Sequence, residues 1–118
     1  MKLHLSRGET YIPKWNGNDK AEAPVRFKLH YLTPDEREQC DTIYVPVGES
    51  RRGVKVKTDY RQAFMLGVEA IENLTIEIDG ADVEIKTAAD FLKYAMPQEL
   101  YLEVALRVKE TSGVELKN

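Results

Sequence analysis

The chain has 118 residues, with 17 basic and 20 acidic side chains and a net charge of −3. This length suits one domain with its own core, and the charge balance argues against a protein built mainly to bind polyanions. Cys40 is the only cysteine, so an intrachain disulfide is excluded.

Residues 1–24 are expected to form an extended arm or loop, in which residues 2–5 could pair as a short strand. Proline, glycine and two asparagines between positions 12 and 20 favour turns. Residues 25–32 then alternate in polarity, which predicts a strand with one buried face. Its apolar side chains are Val25, Phe27, Leu29 and Tyr31, and the other face carries Arg26, Lys28 and His30.

A short helix is predicted to begin after Thr33 and to end near Asp41. Thr33 can cap it, Pro34 suits the first helical position, and the acidic residues that follow complement the helix dipole. Pro46 interrupts the next apolar run, so residues 42–47 are predicted as an edge strand. A polar loop at 48–53 and a brief strand at 54–57 follow.

The longest helix before the C-terminal region is predicted from Thr58, as its cap, to about Asn73. Phe64, Val68 and Ile71 recur at helical spacing across it. Alternating residues on either side of Asp79, Gly80 and Ala81 then predict a hairpin between strands 75–78 and 82–85.

Thr87 is predicted to cap another helix, which Pro97 ends, and a final helix is predicted over residues 98–110. Residues 111–118 are expected to be a frayed tail. We therefore predict a single α+β domain over residues 1–118. It combines a small antiparallel sheet, built from the N-terminal half and a central hairpin, with about three to four helices concentrated in the C-terminal half.

Catalytic and metal-binding patterns are weak throughout the sequence. A nucleophilic pair of Cys40 with His4 or His30 is formally possible, but no oxyanion-hole motif surrounds the cysteine. One cysteine and two histidines lack the paired spacing of a zinc site, and phosphate-binding loops are missing. We therefore expect no enzyme activity, no metal and no cofactor.

The strongest local charge run is the basic loop formed by Arg51, Arg52, Lys55 and Lys57. Such a loop could contact phosphates or an acidic partner, but a solvated loop is the favoured interpretation. No aromatic residues adjoin it for base stacking, so a nucleic-acid partner is not favoured.

Two features favour binding to another protein. Trp15 is of the residue type enriched at binding hot spots, although a lone tryptophan also often packs on its own domain. The last helix is apolar on more than one side, which predicts that part of it meets a partner. The partner-binding candidates are Leu100, Tyr101, Val104, Leu106, Val108 and Trp15.

The order of these features along the chain resembles the order found in small proteins from tail modules of long-tailed bacteriophages and prophages. The similarity lies in the stretches 8–18, 32–38, 64–74 and 97–104, and in the polar ending at Lys117 and Asn118. The family resembled is that of tail assembly chaperones. It implies a non-enzymatic protein that binds the tape-measure protein and helps to recruit tail-tube subunits.

Two alternatives stay open at this point. One is a head–tail connector or tail-completion subunit that forms a ring, and the other is a small nucleic-acid-binding regulator that uses the basic loop. The N-terminus has no apolar run of signal-peptide length, and no stretch of about 20 apolar residues could span a bilayer. The expected location is therefore the cytoplasm, which is the host's if a phage encodes the chain, and homo-oligomers are possible.

Overall fold

The structure, a computed structural model, describes residues 1–44, 53, 55–111 and 113. Seven strands and four α-helices are present in this part of the chain, with a 3₁₀ segment at Trp15–Lys20. In chain order they are β1 (Gly8–Tyr11), the 3₁₀ segment, β2 (Arg26–His30), α1 (Pro34–Cys40), β3 (Asp41–Tyr44), β4 (Lys55–Thr58), α2 (Tyr60–Gly67), β5 (Val68–Glu72), β6 (Thr75–Ile78), β7 (Ala81–Glu84), α3 (Ala88–Leu92) and α4 (Gln98–Glu110).

An antiparallel sheet in the order β1–β2–β5 forms the centre of the fold. Its middle strand alternates as predicted, since Phe27 and Leu29 are buried while Lys28 is exposed. A break in register between Lys28 and Leu29 marks a bulge against β5. The α+β class is confirmed, and the helices lie mostly in the C-terminal half.

The N-terminal arm contributes more than the sequence indicated. Residues 2–5 are in no strand, whereas Gly8–Tyr11 forms β1 and pairs with residues 27–30 of β2. A Cβ atom at Gly8 would overlap the backbone oxygen of Leu29, so only glycine allows this close strand approach.

The helix predicted to reach Asn73 ends at Gly67 instead, and that prediction was wrong over its second half. Val68–Glu72 forms β5 and pairs with β2. Apolar residues at 68 and 71 fit a helix stripe, but β-branched side chains also suit a strand, and pairing with β2 decided the outcome. The helix cap is Asp59 rather than Thr58, because the Asp59 side chain accepts a hydrogen bond from Gln62 N at 3.0 Å.

Other helix ends follow the predicted capping chemistry. Thr33 and Glu36 form a capping box at the start of α1, with Thr33 Oγ1 accepting from Glu36 N at 3.2 Å and Glu36 Oε1 accepting from Thr33 N at 3.0 Å. Thr87 caps α3 by accepting from Asp90 N at 3.1 Å. The final helix covers residues 98–110, as predicted.

Three phenylalanines join the sheet to the helices. Phe27 meets Phe64 and Phe91 edge-on, with ring centroids 6.4 and 6.0 Å apart, and Phe64 lies 5.0 Å from Phe91. These geometries are favourable for aromatic pairs, and all three rings are almost fully buried. Leu100, Val104 and Val108 of α4 complete this core.

Two antiparallel ribbons complete the described fold. The predicted hairpin is confirmed, although β7 begins one residue earlier, at Ala81, so the turn has two residues. Asp79 and Gly80 in this turn have φ values of 51° and 83°. Positive φ at both turn residues is what a two-residue hairpin of this twist requires. The second ribbon pairs β3 with β4, and Ile43 lies opposite Val56.

Candidate binding surface

The Trp15 loop, residues 13–25, contains a tight turn and packs on the N-terminal half of α4. Asn16 and Gly17 both have positive φ, at 52° and 73°, which is the backbone region that asparagine and glycine tolerate best. The Asn18 side chain connects the two ends of the loop: its amide donates to Pro13 O at 2.9 Å and to Val25 O at 3.1 Å, while its oxygen accepts from Val25 N at 2.8 Å.

Glu103 of α4 fixes the beginning of this loop. Its carboxylate accepts hydrogen bonds from Lys14 N at 2.8 Å, from Trp15 N at 3.0 Å and from the Tyr11 hydroxyl at 2.6 Å. Burial and this hydrogen bond raise the pKa of Tyr11 to about 12, so the phenol stays a donor at neutral pH. The beginning of the loop is therefore held by a single carboxylate about 90 residues away in sequence.

A cavity of about 280 Å³ lies beneath the loop. Half-buried Trp15, Val25 and Leu74 line it together with the buried side chain of Leu100, and Asn16 and Asn18 lie at its polar part. Its volume lies just below the range of about 300–1,000 Å³ for small-molecule sites. The recess is therefore of the right size for one large apolar side chain.

A second polar cluster joins β1 to α4 beside Glu103. Arg107 donates to both Glu9 oxygens, at 2.6 and 2.9 Å, and its guanidinium lies 5.1 Å from the centre of the Tyr11 ring. The Tyr31 hydroxyl donates to Glu9 at 3.1 Å. The hydrogen bond from Arg107 is the main cause of the lowered pKa of Glu9.

The Glu9–Arg107 pair predicts an acid-dependent contribution to stability. Because the pKa of Glu9 is lowered on folding, the contribution is present above the unfolded value of 4.5 and is lost as the pH falls through the folded value. Relative to wild type, we expect Glu9→Gln to lose about 1 kcal/mol near neutral pH, after allowance for solvent screening, and progressively less as the pH falls below 4.5. Urea unfolding over this pH range measures the difference, and a loss that does not change with pH would contradict the role of the charge.

Only two of the six predicted partner-binding residues line a common cavity. Trp15 and Leu100 line the same cavity. Val104 and Val108 lie in the protein's own core at 0% and 1% exposure, so they are not surface residues. Tyr101 packs partly buried on the phenylalanine cluster, while Leu106 is exposed. The apolar sides of α4 thus face α2, β2 and the Trp15 loop.

The basic loop is only partly covered by the structure. Arg51 and Arg52 lie outside the described residues. Lys55 and Lys57 belong to β4, and both are exposed.

No catalytic pair forms among the described residues that the sequence singled out. Cys40 is buried, and its desolvation together with the nearby Asp41 carboxylate raises the pKa of the thiol. His30 Nε2 lies 2.8 Å from Glu36 Oε1, and its other ring nitrogen is 3.8 Å from Glu69. Within this part of the chain no group of three potential ligands could hold a metal ion. None of its helices has the length and apolar character needed to cross a membrane.

A larger cavity, of about 620 Å³, lies between β5 and the base of the β6–β7 hairpin. Charged Glu72, Glu84 and Lys86 line it beside the backbone, and its lining includes neither histidine nor cysteine. It has no aromatic wall, so the smaller Trp15 cavity is the better candidate for recognising an apolar group.

Sequence reasoning missed Glu103 and Asn18, the two residues that shape the Trp15 loop. Glu103 occupies an ordinary acidic position in an amphipathic helix, and its partners lie far away in sequence. Asn18 could have been found from the local cluster of turn-forming residues, since asparagine side chains commonly bond nearby backbone groups.

The comparisons with known proteins add no relative: no protein-family profile, curated protein or solved structure matches this chain.

Proposed function

We propose that this chain is a non-enzymatic tail assembly chaperone of a phage or prophage, which binds the tape-measure protein and helps to recruit tail-tube subunits. The observation that carries the proposal is the Trp15 cavity, an apolar recess with an aromatic wall on a loop fixed by Glu103. The resemblance of the sequence to this family supplies the identity of the partner.

The cavity suits an amphipathic helix as its ligand. A tape-measure chain is expected to expose long apolar helical stretches, and the cavity of about 280 Å³ has room for one large side chain from such a stretch. Because Glu103 and Asn18 already order the loop, little conformational entropy would be lost on binding. Tryptophan in a recess with a polar rim is also the usual composition of a binding hot spot.

Co-expression with a tape-measure fragment from the same gene cluster tests the proposal. We expect the wild-type chain to keep the fragment soluble and to co-purify with it. Trp15→Ala should weaken binding at least about tenfold, because it removes the wall of the cavity. Met65→Ala is the matched control, since Met65 is an exposed apolar residue outside the cavity.

Three results would count against parts of this proposal. A tape-measure fragment that stays insoluble with the wild-type chain would exclude the chaperone function. Equal affinities of folded Trp15→Ala and wild type, checked by circular dichroism, would exclude the cavity as the binding site. Failure of tail-tube subunits to join the purified complex would exclude the recruiting role alone.

A further inference from the structure

The two ribbons carry opposite charges in the same arrangement. β4 presents Lys55 and Lys57 on one face with Val56 between them on the other. β7 has the matching pattern of Asp82 and Glu84 around Val83. All four charged side chains are exposed. Residues two apart in a strand are separated by nearly the same distance in both, about 6.7 Å, so the charges are spaced alike.

Both strands also have an edge available for pairing. Each ribbon contains two strands, so in the described residues β4 and β7 have no strand neighbour on their outer side. In the first ribbon, Asp59 N donates to Cys40 O at 2.7 Å. Hydrogen-bonded and non-hydrogen-bonded pairs alternate along an antiparallel ribbon. The backbone N–H and C=O of Lys55 and Lys57 therefore point towards β3, and those of Val56 point to the free edge.

The second ribbon has the opposite alternation at its valine. Ile85 N donates to Leu74 O at 2.9 Å, so Val83 points its backbone groups towards β6. Asp82 and Glu84 therefore point theirs to the free edge. The free edge of β4 thus presents the backbone N–H and C=O of Val56, and the free edge of β7 presents those of Asp82 and Glu84.

This alternation selects a parallel arrangement. In a parallel pair, a residue whose N–H and C=O point at the neighbouring strand bonds to two residues of that strand. The residue between those two, which lies directly beside it, has its own N–H and C=O pointing away. Val56 can therefore lie beside Val83, which places Lys55 by Asp82 and Lys57 by Glu84. An antiparallel pairing would instead put Val56 opposite an acidic residue. Two β4 strands in antiparallel pairing would oppose lysine to lysine, which is unfavourable.

We propose that copies of this chain associate head to tail, with β4 of one copy added in parallel to β7 of the next. The resulting four-stranded sheet would align Ile43, Val56, Val83 and Ile76 in one apolar row. Ile43 and Val56 are 69% and 53% exposed in the single chain, so the contact covers apolar surface. This proposal does not depend on binding to a tape-measure protein.

Existing charge contacts leave room for this association. Lys55, Lys57 and Asp82 have no ion-pair partner among the described residues, and Glu84 contacts only exposed Lys86, at 3.1 Å. Glu77 lies directly opposite Asp82, a like-charge arrangement that disfavours the isolated hairpin. Lys55 of the next copy would relieve that repulsion. A head-to-tail contact of this kind builds rings or open filaments.

Charge reversal followed by mixing tests the proposal. By light scattering, the wild-type mass should rise with concentration above the 13.5 kDa of one chain. The variants Lys55→Glu/Lys57→Glu and Asp82→Lys/Glu84→Lys each place like charges at every junction, so each should associate at least about tenfold more weakly. An equimolar mixture restores opposite charges at both kinds of junction and should regain the wild-type mass.

Lys2→Glu/Lys20→Glu is the matched control, because it makes the same charge change at exposed positions outside the ribbons and should behave as wild type. Raising the salt on the unmodified protein should lower its mass, which provides a readout independent of variant folding. A wild type that stays monomeric at all concentrations would overturn the proposal. So would reversed variants that associate normally, or a mixture that stays monomeric.

Discussion

Gly67→Ala is expected to destabilise the protein by about 2 kcal/mol, because it adds a methyl group where two helices touch. A Cβ atom at Gly67 would overlap both Cγ atoms of Val108. Val108 is 1% exposed and β-branched, so it has neither space nor rotamer freedom to move aside. The better helix propensity of alanine, worth at most about 1 kcal/mol, recovers only part of the loss. Urea unfolding measures the difference.

A double variant separates this overlap from other effects of the substitution. Val108→Ala alone should cost about 2 kcal/mol through the cavity that it leaves. In Gly67→Ala/Val108→Ala the new methyl group occupies that space, so the combined loss should fall below the sum of the single losses by about 1 kcal/mol or more. Strictly additive losses would show that the helix contact is not the cause. Met65→Ala, at an exposed position of the same helix, should change stability little.

Local chemistry in the sequence was enough to predict the starts of α1 and α3 and the position of the β6–β7 turn. The caps at Thr33 and Thr87 accept hydrogen bonds from residues only three positions away. The turn at Asp79 and Gly80 depends on the φ values of those two residues alone. Both kinds of signal can therefore be recognised without knowledge of the fold. The change from helix to strand at Gly67 could not be read this way. It depends on pairing with β2, some 40 residues earlier in the chain, and on the contact of Gly67 with Val108.

The candidate binding surface was predictable only in part, for the same reason. Trp15 and Leu100 could be named from residue type and helical pattern, but their meeting in one cavity depends on tertiary structure. Val104 and Val108 belong to the same apolar pattern as Leu100, and no local signal distinguishes a residue at a cavity wall from one within the core. The role of Glu103 depends on three donors in residues 11–15, and nothing in the local sequence of α4 indicates them.

Glu103→Ala is expected to lower stability by about 2 kcal/mol, since it deprives three donors of one charged acceptor. Trp15 N and the Tyr11 hydroxyl are partly buried, so water replaces the carboxylate incompletely. The loop should loosen, which predicts a red-shifted and more readily quenched Trp15 fluorescence in the folded state. Thermal unfolding and emission spectra measure the two effects on the same sample.

Graded variants test whether Glu103 acts through the loop. Tyr11→Phe removes one donor and should cost about half as much as Glu103→Ala, while leaving Trp15 emission nearly unchanged. Glu99→Ala, at an exposed acidic position of the same helix, should change neither property. If Glu103→Ala lowered stability without altering Trp15 emission, the carboxylate would contribute to packing of the arm but would not order the cavity wall. In that case preorganisation could not explain partner binding at Trp15, and Glu103→Ala should bind the tape-measure fragment as tightly as wild type.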